Sequence, residues 1–206
     1  MSDEHYVITI SRQFGSMGRS IAKELSGIMG IYFMDRDIVE QTAKRLGMPL
    51  STVADAEERS KHNPFWYRKF PLGIGPLAAE DEIFQVQSNI IRDTADKQDC
   101  IIVGRCAESV LRSHKRKLSV YIKAPFEQRL KNCTDLLGMD EKTAMRMIHD
   151  VDLARVRYRE RYIEDAEDPF SDCSVILDSS VFGISETARI IALIANETLH
   201  CSVILN

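Results

Sequence analysis

The chain has 206 residues, of which 44% are apolar and 28% are charged, the composition of an ordinary globular protein. These proportions exclude collagen-like, coiled-coil-only and fully disordered chains. The formal net charge of -4 gives no general positive field that would attract nucleic acid or an anionic membrane, so neither is expected as a partner. Any phosphate binding must therefore come from local groups.

The cysteines and the N-terminus indicate the cellular compartment of the protein. The five cysteines are scattered along the chain and form no CxxC pair, so a reducing compartment is the simpler interpretation. The first residues include acidic side chains where a signal peptide would be basic, and the apolar run at 6–10 is too short to span a membrane. We therefore expect a cytoplasmic protein that is a monomer or a weak homodimer.

Short apolar segments alternate with helical patterns along the chain. The first unit is a strand at 6–10, a helical pattern from Arg19 that stops at Gly30, and a second strand at 31–34. Parallel strands need such a crossover helix. Further strands are predicted at 100–103, 118–122 and 174–177, with helices at about 80–95, at 107–113, and starting at 126 and 185. The pattern predicts a single α/β domain, residues 1–206, with an open parallel five-stranded sheet and helices on both faces.

Residues 36–97 depart from this alternation. They contain helical stretches and a less regular segment at 60–75, so we interpret them as an inserted lobe or lid. Within the irregular segment, Trp66 and Tyr67 are expected to belong to a local core, although contact with a bound base is the alternative.

The region 140–170 is predicted to form a second special feature, a long polar helix that Asp140 caps and that ends near residue 163. Because an α-helix has about 3.6 residues per turn, Arg155 and Arg159 share one of its faces, and two other arginines, at 157 and 161, lie on another. Tyr158 and Tyr162 form a further pair at helical spacing, which we expect to pack against the body of the protein.

The loop after the first strand is the expected phosphate site, because ligands of open parallel sheets bind beyond the carboxyl ends of the strands. Its sequence, QFGSMGRS at 13–20, matches Gly18 and Ser20 of the pattern GxxxxGK[ST]. Gln13 replaces the first glycine, and Arg19 replaces the lysine while keeping its positive charge. Ser20 would supply a hydroxyl to Mg²⁺. The alternative is that the glycines make only a tight turn.

Four arginines are predicted to lie at one edge of the sheet. They stand at or just after the carboxyl ends of predicted strands, at positions Arg12, Arg19, Arg36 and Arg105. Since a polyanion would bind at this edge, the cluster favours a phosphate-containing ligand over a set of solvated surface charges.

The assembled motifs resemble those of the cytidylate kinase-like family, a branch of the nucleoside monophosphate kinases within the P-loop fold. The segment ITISRQFGSMGR at 8–19 is similar to its ISREFGSGGR pattern, FMDRD at 33–37 to FYDRE, and IIVGRCA at 101–107 to the same seven letters. DLAR at 152–155 and LDSSVFG at 177–183 are similar to its DKAR and DSSxxG segments. The resemblance spans almost the whole chain.

This resemblance implies a core sheet with an ATP-binding loop, a helical acceptor lobe at about 36–97 and an arginine-bearing lid at about 140–170. The residues implied to bind the ATP phosphates are Gly15, Ser16, Gly18, Arg19 and Ser20, with Ser20 also on Mg²⁺. The residues implied to face the monophosphate acceptor are Arg12, Asp35, Arg36 and Arg105. The lid residues Arg155 and Arg159 would close over the transferring group and, with Arg19, form the catalytic set.

Three functions are compatible with this sequence. The leading hypothesis is an ATP-dependent phosphotransferase that acts on a nucleoside monophosphate, with CMP or dCMP as the first choice. Gln13 and Arg19 favour instead a nucleotide-binding regulatory module with little turnover. A kinase for another small metabolite fits the same loop. Cys106, which we expect to be a small buried residue, stands where cytidylate kinases carry Asp.

Overall fold

The computed structural model describes residues 5–35, 37–50, 53, 76–163, 168 and 170–201. The predicted site residue Arg36 and the irregular segment at 60–75, with Trp66 and Tyr67, lie outside the described residues.

A single five-stranded sheet forms the centre of the fold. Its strands are β1 (Val7–Arg12), β2 (Tyr32–Met34), β3 (Cys100–Val103), β4 (Lys117–Lys123) and β5 (Val175–Asp178). Their spatial order is β2-β3-β1-β4-β5, and every neighbouring pair is parallel. Ile8 of β1 lies opposite Ile101 of β3 and Leu118 of β4. The predicted sheet is therefore confirmed, with β1 at its centre and extended as far as Arg12.

The helices in the described ranges are α1 (Gly18–Met29), α2 (Asp37–Leu46), α3 (Pro76–Ala95), α4 (Ala107–Val110), α5 (Phe126–Lys131), α6 (Glu141–Tyr162) and α7 (Ser179–Leu199). A π-helical turn at Asn132–Leu136 follows α5 directly. The helix predicted at 107–113 ends at Val110, so that boundary was wrong. α7 begins with a short helical stretch at Ser179, where the Asp178 carboxylate accepts a hydrogen bond from the Ser180 amide. Non-helical backbone angles at Gly183 (φ 71°, ψ -173°) interrupt α7, and the predicted start at 185 lies just after this break.

Helices cover both faces of the sheet, as predicted. On one face α1 and α7 pack against alternate residues of β1, and the fully buried side chains there include Ile8, Ile10, Ile21, Leu25 and Ile191. On the other face α2, α3 and α4 cover Val7 and Ile102. A parallel sheet that is buried on both faces needs nearly continuous apolar strands, which explains their composition.

The long helix α6 begins and packs as the sequence predicted. The Asp140 carboxylate accepts a hydrogen bond from the Thr143 amide at 3.0 Å and caps the helix. At the other end Tyr162 stacks on Phe84 of α3 with ring centroids 4.2 Å apart, and Tyr158 meets the same ring edge-on. Among the helices described here, none combines the length and apolar character that a membrane span requires.

Candidate functional site

The loop that joins β1 to α1 forms one wall of a crevice at the carboxyl ends of the strands. Gly15 and Met17 both have positive φ angles, of 78° and 61°. Gly15 has no room for a side chain, since a Cβ there would lie 2.9 Å from the Arg129 carbonyl oxygen and 3.0 Å from Cys133 Sγ. The loop is therefore pressed against the elements that follow β4.

The backbone amides of this loop point to an anion-binding function. Within α1 the first amide to find a carbonyl is that of Ile21, which donates to Met17 O at 3.0 Å. Met17 has no polar side chain with which to cap the helix. In the described part of the chain, no acceptor meets the amides of Gly15, Met17, Gly18, Arg19 and Ser20. Converging amides at a helix N-terminus bind phosphate well.

Hydrogen bonds to β4 fasten the loop in place. The Gln13 amide donates to Ile122 O at 3.0 Å, and its side-chain oxygen accepts from the Ala124 amide at 3.1 Å. The Ser16 hydroxyl is buried and donates to Gln13 O and Ile122 O. Gln13 therefore has a structural role at the position of the missing glycine. Ser16, predicted to bind ATP, also has a structural role, because its amide donates to Gln13 O and its carbonyl accepts from the Ser179 hydroxyl.

Two residues that sequence reasoning did not assign hold the loop from the outside. The Phe14 amide donates to Asp152 Oδ1 of α6 at 2.7 Å, and Arg129 Nη1 of α5 donates to Asp152 Oδ2 at 2.5 Å. Asp152 begins the DLAR segment that resembles a family motif, but nothing in the spacing of that motif indicates a contact with a loop 138 positions away.

Arg12, the last residue of β1, crosses the crevice. Its stem lies on Gly18, where a Cβ would come within 2.8 Å of Arg12 Cβ. Its guanidinium lies on Gly104, where a Cβ would overlap with Arg12 Nη1. The two glycines therefore leave the space that this partly buried side chain occupies.

Charged groups of both signs lie near Arg12. Burial lowers the pKa of the Arg12 guanidinium well below its usual range, and the like charges of Arg155 and Arg105 lower it further, while Asp35 and Glu108 act in the opposite direction. Arg155 of α6 also donates from Nη1 to the Arg12 carbonyl oxygen at 2.9 Å. Three of the predicted site arginines thus meet beside the loop amides, from β1, from the turn after β3 and from α6.

Arg19 and Asp35 form an ion pair. Arg19 Nε lies 2.5 Å from Asp35 Oδ2, and 54% of the Arg19 side chain is exposed against 11% of that of Asp35. The sequence assigned these residues to the ATP side and the acceptor side respectively. The structure brings them together at the carboxyl-end edge of the sheet, where β3 lies between β1 and β2. The Ser20 hydroxyl, one residue further, makes no hydrogen bond within the described ranges.

Arg159 lies elsewhere than the sequence suggested. It is buried, and its Nη1 donates to Glu108 Oε1 of α4 at 2.9 Å while Nη2 lies 3.5 Å from Asp172 Oδ2. Glu108 also accepts from the Ser11 hydroxyl at 2.8 Å. Two buried carboxylates need a cation, which explains why Arg159 turns into the protein instead of facing the crevice.

The turn after β3 is strained. Gly104, Arg105 and Cys106 have consecutive φ angles of 79°, 56° and 52°. Positive φ is unfavourable for residues with a Cβ, and such strain often accompanies functional sites. Cys106 is buried, and burial raises the pKa of its thiol, so it is a packing residue as expected. No group of three metal-binding His, Cys, Asp or Glu side chains occurs in the described ranges.

Comparison with known proteins identifies the family. The model of the cytidylate kinase-like family matches residues 7–181, from the start of β1 into α7. The chain belongs to the cytidylate kinase-like family. No curated protein matches it.

Solved structures show the same fold at low sequence identity. An uncharacterized protein from Eubacterium ventriosum ATCC 27560 superimposes with a TM-score of 0.69 at 22% identity, over 93% of this chain and 99% of that one. Shikimate kinase from Bacteroides thetaiotaomicron gives 0.55 at 11% identity, over 92% and 97% of the two chains. Shikimate kinase from Acinetobacter baumannii in complex with shikimate gives 0.50 at 13%, over 95% and 96%. The P-loop kinase fold predicted from sequence is thereby confirmed.

Proposed function

We propose that this member of the cytidylate kinase-like family is an ATP-dependent phosphotransferase that acts on a nucleoside monophosphate, with CMP or dCMP as the first candidates. One observation carries the proposal: free loop amides and the arginines Arg12, Arg105 and Arg155, which come from separate elements, meet at one edge of the sheet. Phosphoryl transfer depends mainly on such positioning and charge compensation.

The loop is suited to hold the ATP phosphates. The amides of Gly15, Met17, Gly18, Arg19 and Ser20, which have no acceptor in the described structure, would donate to the β- and γ-phosphate oxygens, while the contacts of Gln13 and Asp152 keep the loop in position. The Ser20 hydroxyl fits a Mg²⁺ ligand, because it has no internal partner in the described structure. Bound Mg²⁺ would neutralise phosphate charge and help to align the reacting oxygens.

Asp35 and Arg105, which follow β2 and β3, would bind the acceptor, together with Arg36. An acceptor phosphate oxygen would form a bond to the γ-phosphorus as the bond from that phosphorus to the β–γ bridging oxygen breaks and ADP leaves. Arg155 would contact the transferring group. Arg159, with its head group inside the protein, would act as a positioning residue that holds α6 against α4.

The charge of the site favours a monophosphate over a neutral acceptor. ATP and a nucleoside monophosphate together bring several negative charges, and three arginines in one crevice would compensate them. A kinase for another small metabolite is the second candidate, since shikimate kinases share the fold. A regulatory nucleotide-binding module is the third, and the absent lysine favours it.

The proposal is tested by ADP formation from Mg·ATP with CMP, dCMP, UMP, AMP, GMP, shikimate or no acceptor. We expect release that depends on a monophosphate. Arg105→Ala should raise the KM for that acceptor on the order of tenfold to a hundredfold, the range for a lost charged hydrogen bond, with little change in ATP affinity. Arg45→Ala is a matched control, because Arg45 pairs with Asp93 on the surface.

The other candidate functions predict different results. Release that requires shikimate and ignores every monophosphate would identify a metabolite kinase. Thermal stabilisation by ATP without any release would identify a binding module. Equal loss of ATP affinity and acceptor affinity in Arg105→Ala would contradict the division into donor and acceptor sides.

A further inference from the structure

We infer that Arg12, rather than Arg19, supplies the positive charge at the transferring phosphoryl group that the lysine supplies in GxxxxGK[ST] loops. This inference rests on the proposed function and assigns a specific residue to it. Arg19 follows Gly18 directly and so occupies the lysine position in the sequence, whereas Arg12 lies one residue before the pattern begins.

The contacts of Arg19 make it a poor substitute for the lysine. Its Nε is bound to Asp35 at 2.5 Å, and more than half of its side chain is exposed. A carboxylate at this distance offsets most of the charge, and water screens the rest. Arg19 is therefore better placed to orient Asp35 than to stabilise a phosphoryl group.

The Arg12 side chain can extend across the crevice because two glycines leave room for it. Its stem lies along Gly18 at the start of α1, and its head group lies on Gly104 in the turn after β3. The guanidinium therefore lies at the turn that carries Arg105, while its stem lies at the start of α1, next to the loop amides. In the proposed reaction, this places its charge between the loop assigned to ATP and the turn assigned to the acceptor.

No carboxylate in the described ranges forms an ion pair with Arg12, although Asp35 and Glu108 lie near enough to offset part of its charge. Within the described part of the structure its guanidinium has no hydrogen-bond or ion-pair partner, although it is partly buried. The nearby carboxylates are engaged elsewhere, Asp35 with Arg19 and Glu108 with Arg159. A desolvated cation without an ion-pair partner destabilises the folded protein. A bound anion would offset this desolvation penalty.

The inference is tested by thermal unfolding and calorimetric titration with two probes, inorganic tripolyphosphate and Mg·ATP. Two variants replace Arg12. Arg12→Met keeps an unbranched side chain that can pack against Gly18 but removes the charge. Arg12→Lys keeps the charge but removes the planar head group. Arg19→Met is the matched variant at the lysine position. Arg45→Met controls for loss of a surface arginine.

We expect Arg12→Met without ligand to unfold at a higher temperature than the wild type, by about 2–4 °C, because a partly buried charge that forms no ion pair is gone. Its affinity for both probes should fall on the order of tenfold to a hundredfold. Arg12→Lys should lose less. Arg19→Met and Arg45→Met should bind both probes nearly as well as the wild type.

Three results would overturn the inference. A lower unfolding temperature for ligand-free Arg12→Met would make Arg12 a structural residue. Probe binding that survives in Arg12→Met but not in Arg19→Met would return the lysine role to Arg19. Both results leave the proposed function intact. If neither probe binds or stabilises the wild type, the phosphate crevice itself fails, and the proposed function fails with it.

Discussion

Glycines at two positions decide where the Arg12 side chain lies. Gly18 begins α1 in ordinary helical geometry and is needed only because a side chain there would collide with the Arg12 stem. Gly104 is needed for two reasons, its φ of 79° and its contact with the Arg12 guanidinium. The GRCA motif therefore contains a packing requirement that is set by Arg12, a residue far earlier in the chain.

A comparison of Gly104→Ala with Gly30→Ala should separate the effect of the positive φ from the effect of the contact with Arg12. Gly104→Ala is expected to lower the free energy of unfolding by about 1–2 kcal/mol through the positive φ, and to displace the Arg12 head group. Gly30→Ala has a similar φ of 66° but nothing within 4 Å of the added Cβ, and it lies at the far end of α1. Urea unfolding measures the stability of each variant, and tripolyphosphate titration measures its phosphate affinity.

We expect both variants to lose similar stability and only Gly104→Ala to lose phosphate affinity. Normal phosphate affinity in Gly104→Ala would show that the Arg12 head group is not required where the structure places it.

At the scale of elements, the long helix α6 is attached directly to the phosphate loop. Asp152 accepts from the Phe14 amide and Arg155 donates to the Arg12 carbonyl, so two successive turns of the helix hold the two ends of one short segment. The far end of α6 stacks on α3 through Tyr162. A displacement of α6 must therefore break contacts with the loop, which couples the proposed lid to the geometry of the loop amides.

Asp152→Asn tests this coupling. The amide side chain can still accept from Phe14, but it leaves Arg129, a mostly buried cation, without its carboxylate. We expect the free energy of unfolding to fall by about 1–3 kcal/mol and Mg·ATP binding to weaken. Asp150→Asn on the same helix is the control, since Asp150 is exposed beside His149. Identical ATP affinity in both variants would show that the loop keeps its shape without Asp152.

At the scale of the whole molecule, a buried ionic network joins elements that are distant in sequence. Asp172, just before β5, accepts hydrogen bonds from Arg112 at 2.8 and 3.0 Å and from the Ser109 hydroxyl at 2.5 Å, and it lies near Arg159 of α6. Burial alone raises the pKa of Asp172, but these hydrogen bonds and charges outweigh it and hold the pKa below its ordinary value.

This depressed pKa predicts an acid-dependent loss of stability. A carboxyl group whose folded pKa is lowered stabilises the protein above its unfolded pKa, near 4, and the contribution disappears as the pH falls through the folded pKa. Asp172→Asn should therefore cost about 1–3 kcal/mol at pH 7 and much less near pH 2. Urea unfolding across this range measures the difference.

The exposed pair of Arg45 and Asp93 provides the comparison for that experiment. Asp93→Asn should cost less than about 1 kcal/mol at pH 7, as is usual for surface pairs. A constant cost of Asp172→Asn from pH 7 to pH 2 would show that its carboxylate charge does not support the network.

Local signals predicted the elements well and their boundaries less well. The β-branched runs and helical periodicity gave all five strands, and the Asp140 cap and the packing of Tyr158 and Tyr162 followed from spacing alone. The helical residues of α7 before Gly183 were missed because they form only a short stretch, which the Asp178 carboxylate caps by accepting from the Ser180 amide and which ends at the non-helical Gly183. The contact of Asp152 with the loop was missed because no local pattern encodes it.

The sequence by itself determined the alternation of strands and helices, the parallel sheet and the position of the phosphate loop. Short-range patterns of apolar residues and glycines along the chain are enough to indicate these features. The tertiary structure decided which of the described site arginines form ion pairs with carboxylates. Arg19 is paired by Asp35 and Arg159 by Glu108, whereas Arg12 is left facing the crevice. The reason is physical: the effective charge of a side chain depends on the carboxylates and the solvent around it, and the fold brings these from distant parts of the chain.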